Sequence, residues 1–165
     1  MRSSPSRDQM LHLLRRANAV ARRAVEAGRH PFGALLVAPD HETVLLEQGN
    51  LSVVDHAEAV LARTAFAQHP SGFLWDCTLV TTVEPCAMCA ATQYWANIGR
   101  LVYGLEERQL LALTGASEEN PTLDVPARSI YARGQKAMEV FGPFPELEAD
   151  ITALHLGYWR SPGQG

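Results

Sequence analysis

A chain of 165 residues, 47% hydrophobic and 19% charged, has the composition of a folded protein and the length of one domain, which excludes a disordered or low-complexity chain. Its formal net charge of -4 offers no long-range attraction to a polyanion, and no apolar run nears the ~18 residues that span a bilayer, so neither nucleic acid nor membrane is the expected partner. Three cysteines make an odd number and no signal-like segment opens the chain, so a soluble protein of the reducing cytoplasm is expected.

Ser6 and Gln9 have the spacing of a capping box. Leu11, Leu14, Ala17, Ala21, Ala24 and Val25 then recur at helical spacing up to Gly28, predicting an amphipathic first helix. Arg15, Arg16, Arg22, Arg23 and Arg29 gather there and read as a solvated face or subunit contact. HPFG at 30–33 breaks the chain before two apolar segments, 34–38 and 43–46. With Pro39, Asp40 and His41 between them, they predict a β-hairpin. An Ala- and Leu-rich stretch at 56–68 predicts a second helix, ended by an HPSG turn at 69–72. A strand at 77–82, a helix at 86–96 and a strand at 100–103 follow. This order of elements predicts a mixed sheet with helices on both faces. Beyond Gly104 the pattern gives a short helix at 106–113, a polar loop at 114–126, a helix at 127–133, a strand at 137–141 and a closing helix at 145–159. No repeat or linker divides the chain, so 1–165 is expected to be one domain.

The chemistry concentrates in TTVEPCAMC at 81–89, where Cys86 and Cys89 stand three apart behind Pro85. A CxxC pair alone fits a redox pair, half of a structural zinc site, or two ligands of a catalytic metal. No second CxxC and no HxxxH complete a structural site. Instead HAE at 56–58 lies 30 residues before Cys86 and opens the second helix as PCxxC opens the third. His56, Cys86 and Cys89 are three N and S ligands that leave a fourth zinc position for water. Two helix N-termini aimed at one spot favour thiolates there, and Glu58, two residues past His56, is placed to move the proton of a metal-activated water.

HAE followed by PCxxC resembles the zinc-dependent cytidine deaminase superfamily, in which a Glu that is not a ligand follows the ligand His by two residues. The resemblance runs through PFGALLV at 31–37, Asn50, TTVEPCAMC and YWANIGRLVYG at 94–104, covering roughly residues 8 to 113. It implies a three-layer α/β/α fold around a mixed five-stranded sheet, a Zn2+ cofactor and a homodimer. The PFGA, EPCxMC and YWA elements look most like the branch of bacterial guanine deaminases and tRNA adenosine deaminases. By that likeness Phe32 and Trp95 hold a purine ring, Asn50 and the Ala57 backbone contact the base, and Glu84 joins them as a substrate-contact candidate. LSVVD at 51–55 replaces the family's usual Asp-Pro-Thr-Ala run, so the pocket wall should differ. Gln109 stands where a second, guanine-recognising carboxylate is expected, leaving Glu106 or Glu107 to supply it.

The resemblance therefore implies hydrolytic deamination of a small nucleobase or nucleoside, guanine first. Deamination of adenosine in tRNA, deamination of a pyrimidine, triazine or pterin, and a non-catalytic zinc-stabilised module stay open beside it. Cys77 and Met88 read as core packing, Tyr158 and Trp159 as anchors of the last helix or closers of a pocket. His12, His30, His41, His69 and His155 read as surface or capping residues. Glu118, Glu119 and Asp124 lie in a solvent-exposed loop long enough to be a lid.

Overall fold

The structure, a computed structural model, describes residues 2–114, 117, 118 and 120–159. Helix α1 (Arg7–Glu26) starts from the capping box: the Gln9 amide donates to the Ser6 hydroxyl at 3.2 Å, and the Ser6 amide to the Gln9 side chain at 2.8 Å. Two of the helix's unpaired first-turn donors are thereby satisfied. Strands β1 (Gly33–Val37) and β2 (Val44–Gly49) form the hairpin, and the Asp40 carboxylate closes its turn by accepting from the Glu42 and Thr43 amides at 3.0 and 2.9 Å. Helix α2 (Ala57–Gln68) is followed by α3 (Ser71–Asp76), β3 (Thr78–Val83), α4 (Ala87–Trp95) and β4 (Arg100–Leu105). Helices α5 (Glu107–Thr114) and α6 (Ala127–Tyr131), strand β5 (Glu139–Phe141), a 3-10 turn (Pro145–Leu147) and helix α7 (Glu148–Trp159) complete the order.

The sheet runs β2-β1-β3-β4-β5, with β1 antiparallel to both neighbours and β3, β4 and β5 parallel. Strands β1, β3 and β4 are buried along their length, as strands covered on both faces must be. Adjacent residues point to opposite faces. Leu36, Leu79 and Leu101 pack with Leu61 of α2 and Ala90 of α4, while Leu35, Val80 and Val102 pack with Leu14 of α1 and Ile151 of α7. Each fully buried leucine contributes roughly 1.5–3 kcal/mol. The result is the expected three-layer α/β/α sandwich. Small residues set its close approaches: a Cβ on Gly33 would overlap the Ala17 carbonyl of α1, and one on Gly104 would overlap Ile151 of α7.

Two expectations need correction. The HPSG segment does not end in a turn: Pro70 becomes the N-cap of α3, and Leu74 of that helix is buried in the core. The closing helix is also broken, because Pro145 supports a tight 3-10 turn whose buried Leu147 precedes the regular helix. At the sheet end where β3 and β4 begin, Arg100, 1% exposed, joins the Glu139 carboxylate at 2.9 Å, the Thr78 hydroxyl at 3.2 Å and the Ser3 carbonyl at 2.8 Å. Among the described residues no helix is long and apolar enough to cross a membrane.

Candidate active site

Parallel strands β3 and β4 end on the same side of the sheet, and the chain leaves both directly into helices. Cys86 is the N-cap of α4 and Cys89 lies in its first turn; His56 is the N-cap of α2. The His56 ring makes no capping bond to its own helix, and the Cys86 thiol faces Cys89 and His56. Pro85 immediately precedes the cap, whose backbone is extended. His56 Nδ1 lies 3.5 Å from the Sγ of Cys86 and 3.5 Å from that of Cys89, and the three ligand atoms all lie within 4.8 Å of one another. Ligands at about 2.3 Å (sulfur) and about 2.0 Å (nitrogen) from a tetrahedral zinc stand about 3.5 Å apart. The donor set and its spacing therefore fit zinc, with one position left for a non-protein ligand.

His56, Cys86 and Cys89 share protons that a metal must displace on binding. His56 is pushed up to about 9, chiefly by its hydrogen bond with Cys86. Cys86 is pulled down to about 4 by the Cys89 thiol and by His56, and Cys89 is pushed up by donating to Cys86 and by burial.

Glu58, in the first turn of α2, is buried beside this set. Its Oε1 accepts from the Thr81 hydroxyl at 2.7 Å, and its Oε2 accepts from Cys89 Sγ at 3.6 Å. Burial pushes its carboxyl above the ordinary range, and the Thr81 hydroxyl opposes that by favouring the ionised form.

A cavity of about 130 Å³ opens onto the metal set between His30, Val53, His56, Cys86, Glu107 and the segment Asn120 to Leu123. An inner recess of about 30 Å³, the volume of about one water, reaches Phe32, Glu58 and Glu84. Both oxygens of Glu84 are engaged, accepting from the Ala127 amide at 2.8 Å and the Glu107 amide at 3.2 Å. Glu84 thus fastens the starts of α5 and α6 around the cavity. Glu107 is 8% exposed and borders both spaces, and burial first, then the charges of Cys86, Glu58 and Glu84, push it up to about 8.

The other residues singled out from sequence are distributed unevenly. Phe32 borders the recess. Asn50 is buried and its side-chain amide donates to the Ser52 carbonyl at 3.0 Å; Ala57 is fully buried at the start of α2. Gln109 caps α5, accepting from the Glu106 amide at 2.9 Å, so of the two adjacent glutamates it is Glu107 that borders the cavity. Trp95 ends α4, far along the helix from Cys86, is 76% exposed, and is not among the residues lining the cavity. Tyr94 serves packing, its hydroxyl accepting from the Gln135 amide at 2.9 Å. Cys77 is buried as expected, whereas His41 and His155, expected at the surface, are buried and His30 walls the cavity. Sequence reasoning missed Thr81, His30, Val53 and the wall from Asn120 to Leu123. Thr81 carried a signal, since alternation along β3 turns it towards α2, and the loop that holds Asn120 to Leu123 reads from sequence as long enough to be a lid. Glu118 lies in that polar loop, and Glu119 lies outside the described residues.

Comparison with known proteins agrees with this geometry. The family described as "Cytidine and deoxycytidylate deaminase zinc-binding region" matches residues 7–105. A probable cytosine deaminase of Schizosaccharomyces pombe is 35% identical over 163 residues, covering 96% of this chain and 98% of that protein. A tRNA-specific adenosine deaminase of Haemophilus influenzae is 35% identical over 100 residues, 58% of this chain and 57% of its own length. Among solved structures, a guanine deaminase from Nitrosomonas europaea superposes with a TM-score of 0.66 at 21% identity, covering 90% of this chain and 83% of that one. With the signature residues gathered as zinc chemistry requires, the chain belongs to the cytidine and deoxycytidylate deaminase zinc-binding family.

Proposed function

We propose that the protein is a zinc-dependent aminohydrolase acting on a free, purine-like base, guanine first, exchanging an exocyclic amine for a carbonyl and releasing ammonia. The observation that carries this is the buried Glu58 carboxyl held beside the three-ligand set at the floor of the cavity. Zinc bound by His56, Cys86 and Cys89 supplies Lewis-acid activation of water. Thr81 fixes Oε1 of Glu58, leaving Oε2 on the ligand side to move protons. Glu58 takes a proton from the water and gives it to the ring nitrogen as the oxygen bonds to the amine-bearing carbon; it then takes the second proton of that oxygen and delivers it to the amine, whose C–N bond breaks to leave a carbonyl. Water and the amino compound are thereby converted to a ring carbonyl and ammonia.

Three features support a small neutral base. The cavity, at about 130 Å³, is well below the ~300–1,000 Å³ of pockets for drug-sized ligands. Its outer side is closed by Asn120 to Leu123. The groups lining the recess include Glu58, Glu84 and Glu107 and no Lys or Arg, so a phosphate is poorly accommodated. In this reading Phe32 stacks on the ring, Glu107, whose carboxyl burial pushes up, donates its O–H to a ring acceptor, and Asn50 and the Ala57 backbone contact the base. Cytosine is the second reading, favoured by the end-to-end match to the Schizosaccharomyces pombe protein. A homodimer and a cytoplasmic location go with the proposal: exposed Trp95 offers apolar surface to a second copy, and all three cysteines are free thiols.

The test is ammonia release by the zinc-loaded protein across free bases, nucleosides, triazines, pterins and a tRNA transcript. Turnover of guanine or another free base, absent in Glu58→Ala, is expected. Turnover of the transcript alone would replace this reading with the tRNA one, and silence throughout would leave a non-catalytic zinc module.

A further inference from the structure

The two residues that form one wall of the site, His30 and Phe32, sit in the irregular segment between α1 and β1, where no strand or helix fixes their rings. What fixes them comes from the other end of the chain. His155, Tyr158 and Trp159 stand at i, i+3 and i+4 on the last turns of α7 and so share one face. His155 is 0% exposed, and its ring meets Phe32 edge-on at 5.1 Å between centroids. His30 is held in the same manner by Trp159 at 5.0 Å and Tyr158 at 5.5 Å. Trp159 Nε1–H donates to His155 Nδ1 at 3.2 Å, which places the imidazole proton on Nε2. That Nε2 is buried without a hydrogen-bond partner. The Phe32 and His155 rings pack at 70° between planes, in a T-shaped pair.

We propose that His155, oriented by Trp159, is a positioning residue for substrate: it holds the Phe32 ring in the plane against which the base stacks. The inference rests on the aminohydrolase reading and adds to it that affinity for the ring is set by the C-terminal helix. An unheld phenyl ring must be ordered each time a base binds, so the loss falls on binding rather than on the proton transfers of Glu58. A T-shaped ring pair contributes enough that its removal weakens binding by roughly threefold to tenfold.

The experiment compares wild type, His155→Leu, Trp159→Leu and His155→Gln in the zinc-loaded protein, with guanine and cytosine as probes. Gln keeps an acceptor for the Trp159 N–H. KM for the ring that turns over is expected to rise about tenfold in His155→Leu and Trp159→Leu with kcat within about threefold, and to return towards wild type in His155→Gln. In the Glu58→Ala background, calorimetric Kd for the same ring should rise in parallel, with folding of each variant verified by circular dichroism at the assay temperature. A merely structural role lowers melting temperature and the active fraction, hence apparent kcat, and leaves KM and Kd in place; that result overturns the inference alone. If neither ring binds nor reacts with the wild type, the aminohydrolase reading and this inference fall together.

Discussion

Replacing Thr81 with valine removes one hydroxyl at nearly constant shape and asks how Glu58 is held. The hydroxyl donates to Oε1 at 2.7 Å, and both residues are buried. A hydrogen bond to a charged group contributes about 1.5–3 kcal/mol, and ~1.4 kcal/mol is a factor of ten, so kcat should fall by roughly ten- to a hundredfold. The change also has a sign in pH. Thr81 stabilises the ionised carboxylate, so its loss moves the Glu58 carboxyl further up from where burial has already put it. Because the base must be ionised to accept the water's proton, the acid limb of kcat against pH should move to higher pH in Thr81→Val. The assay is initial-rate ammonia release between about pH 5 and 9 at saturating base, with zinc content matched between proteins. A Thr81→Val enzyme whose rate stays within twofold of wild type and whose acid limb does not move would refute the role given to Oε1.

Three other outcomes follow from packing and charge. Burial pulls His155 from 6.5 down to about 4, so the unfolded chain binds the proton first as pH falls. The stabilisation is complete above pH 6.5 and lost between there and pH 4, on the order of 3 kcal/mol; urea melts at pH 7.5 and 5 should show it, and His155→Gln should flatten it. Arg100→Met leaves the Ser3 carbonyl and the Thr78 hydroxyl without their guanidinium partner, while Glu139 keeps Arg2 at 2.9 Å, and should cost about 1–3 kcal/mol by denaturant melts, with a loss below about 0.5 kcal/mol counting against the clamp. Chelation should lower the melting temperature: at zinc a thousandfold above Kd, binding contributes about 4 kcal/mol, or roughly 8–16 °C for a chain of this size. Cys89→Ser should abolish that response.

Much of the site was readable because its signals are local. HAE and PCxxC each occupy a helix start, where the chain's own geometry aims the cap side chain outward, and Ser6 with Gln9 announces α1 for the same reason. Helix α3 was hidden because Pro70 and Gly72 are turn residues that also tolerate a helix N-terminus; Leu74, buried in the core, decides the outcome through tertiary contact. The cavity wall from Asn120 to Leu123 is polar loop by composition, and only Glu84, by accepting from the amides of Glu107 and Ala127, brings the starts of α5 and α6 to the site. His155 looks like a surface histidine until Gly104 lets α7 approach β4 closely enough to bury it. Gln109 shows the opposite case, where alignment suggested a recognition position and the structure has a helix cap, with Glu107 at the cavity.

The central claim is that Glu58 moves the protons while His56, Cys86 and Cys89 hold the metal. The most direct measurement pairs zinc content with ammonia release for wild type and Glu58→Gln, a substitution that keeps the shape and the Thr81 contact but cannot accept a proton. The account predicts one zinc per chain in both proteins and a rate on the best free base reduced by at least a thousandfold in the variant. A zinc-loaded Glu58→Gln protein that still releases ammonia at close to the wild-type rate would contradict it.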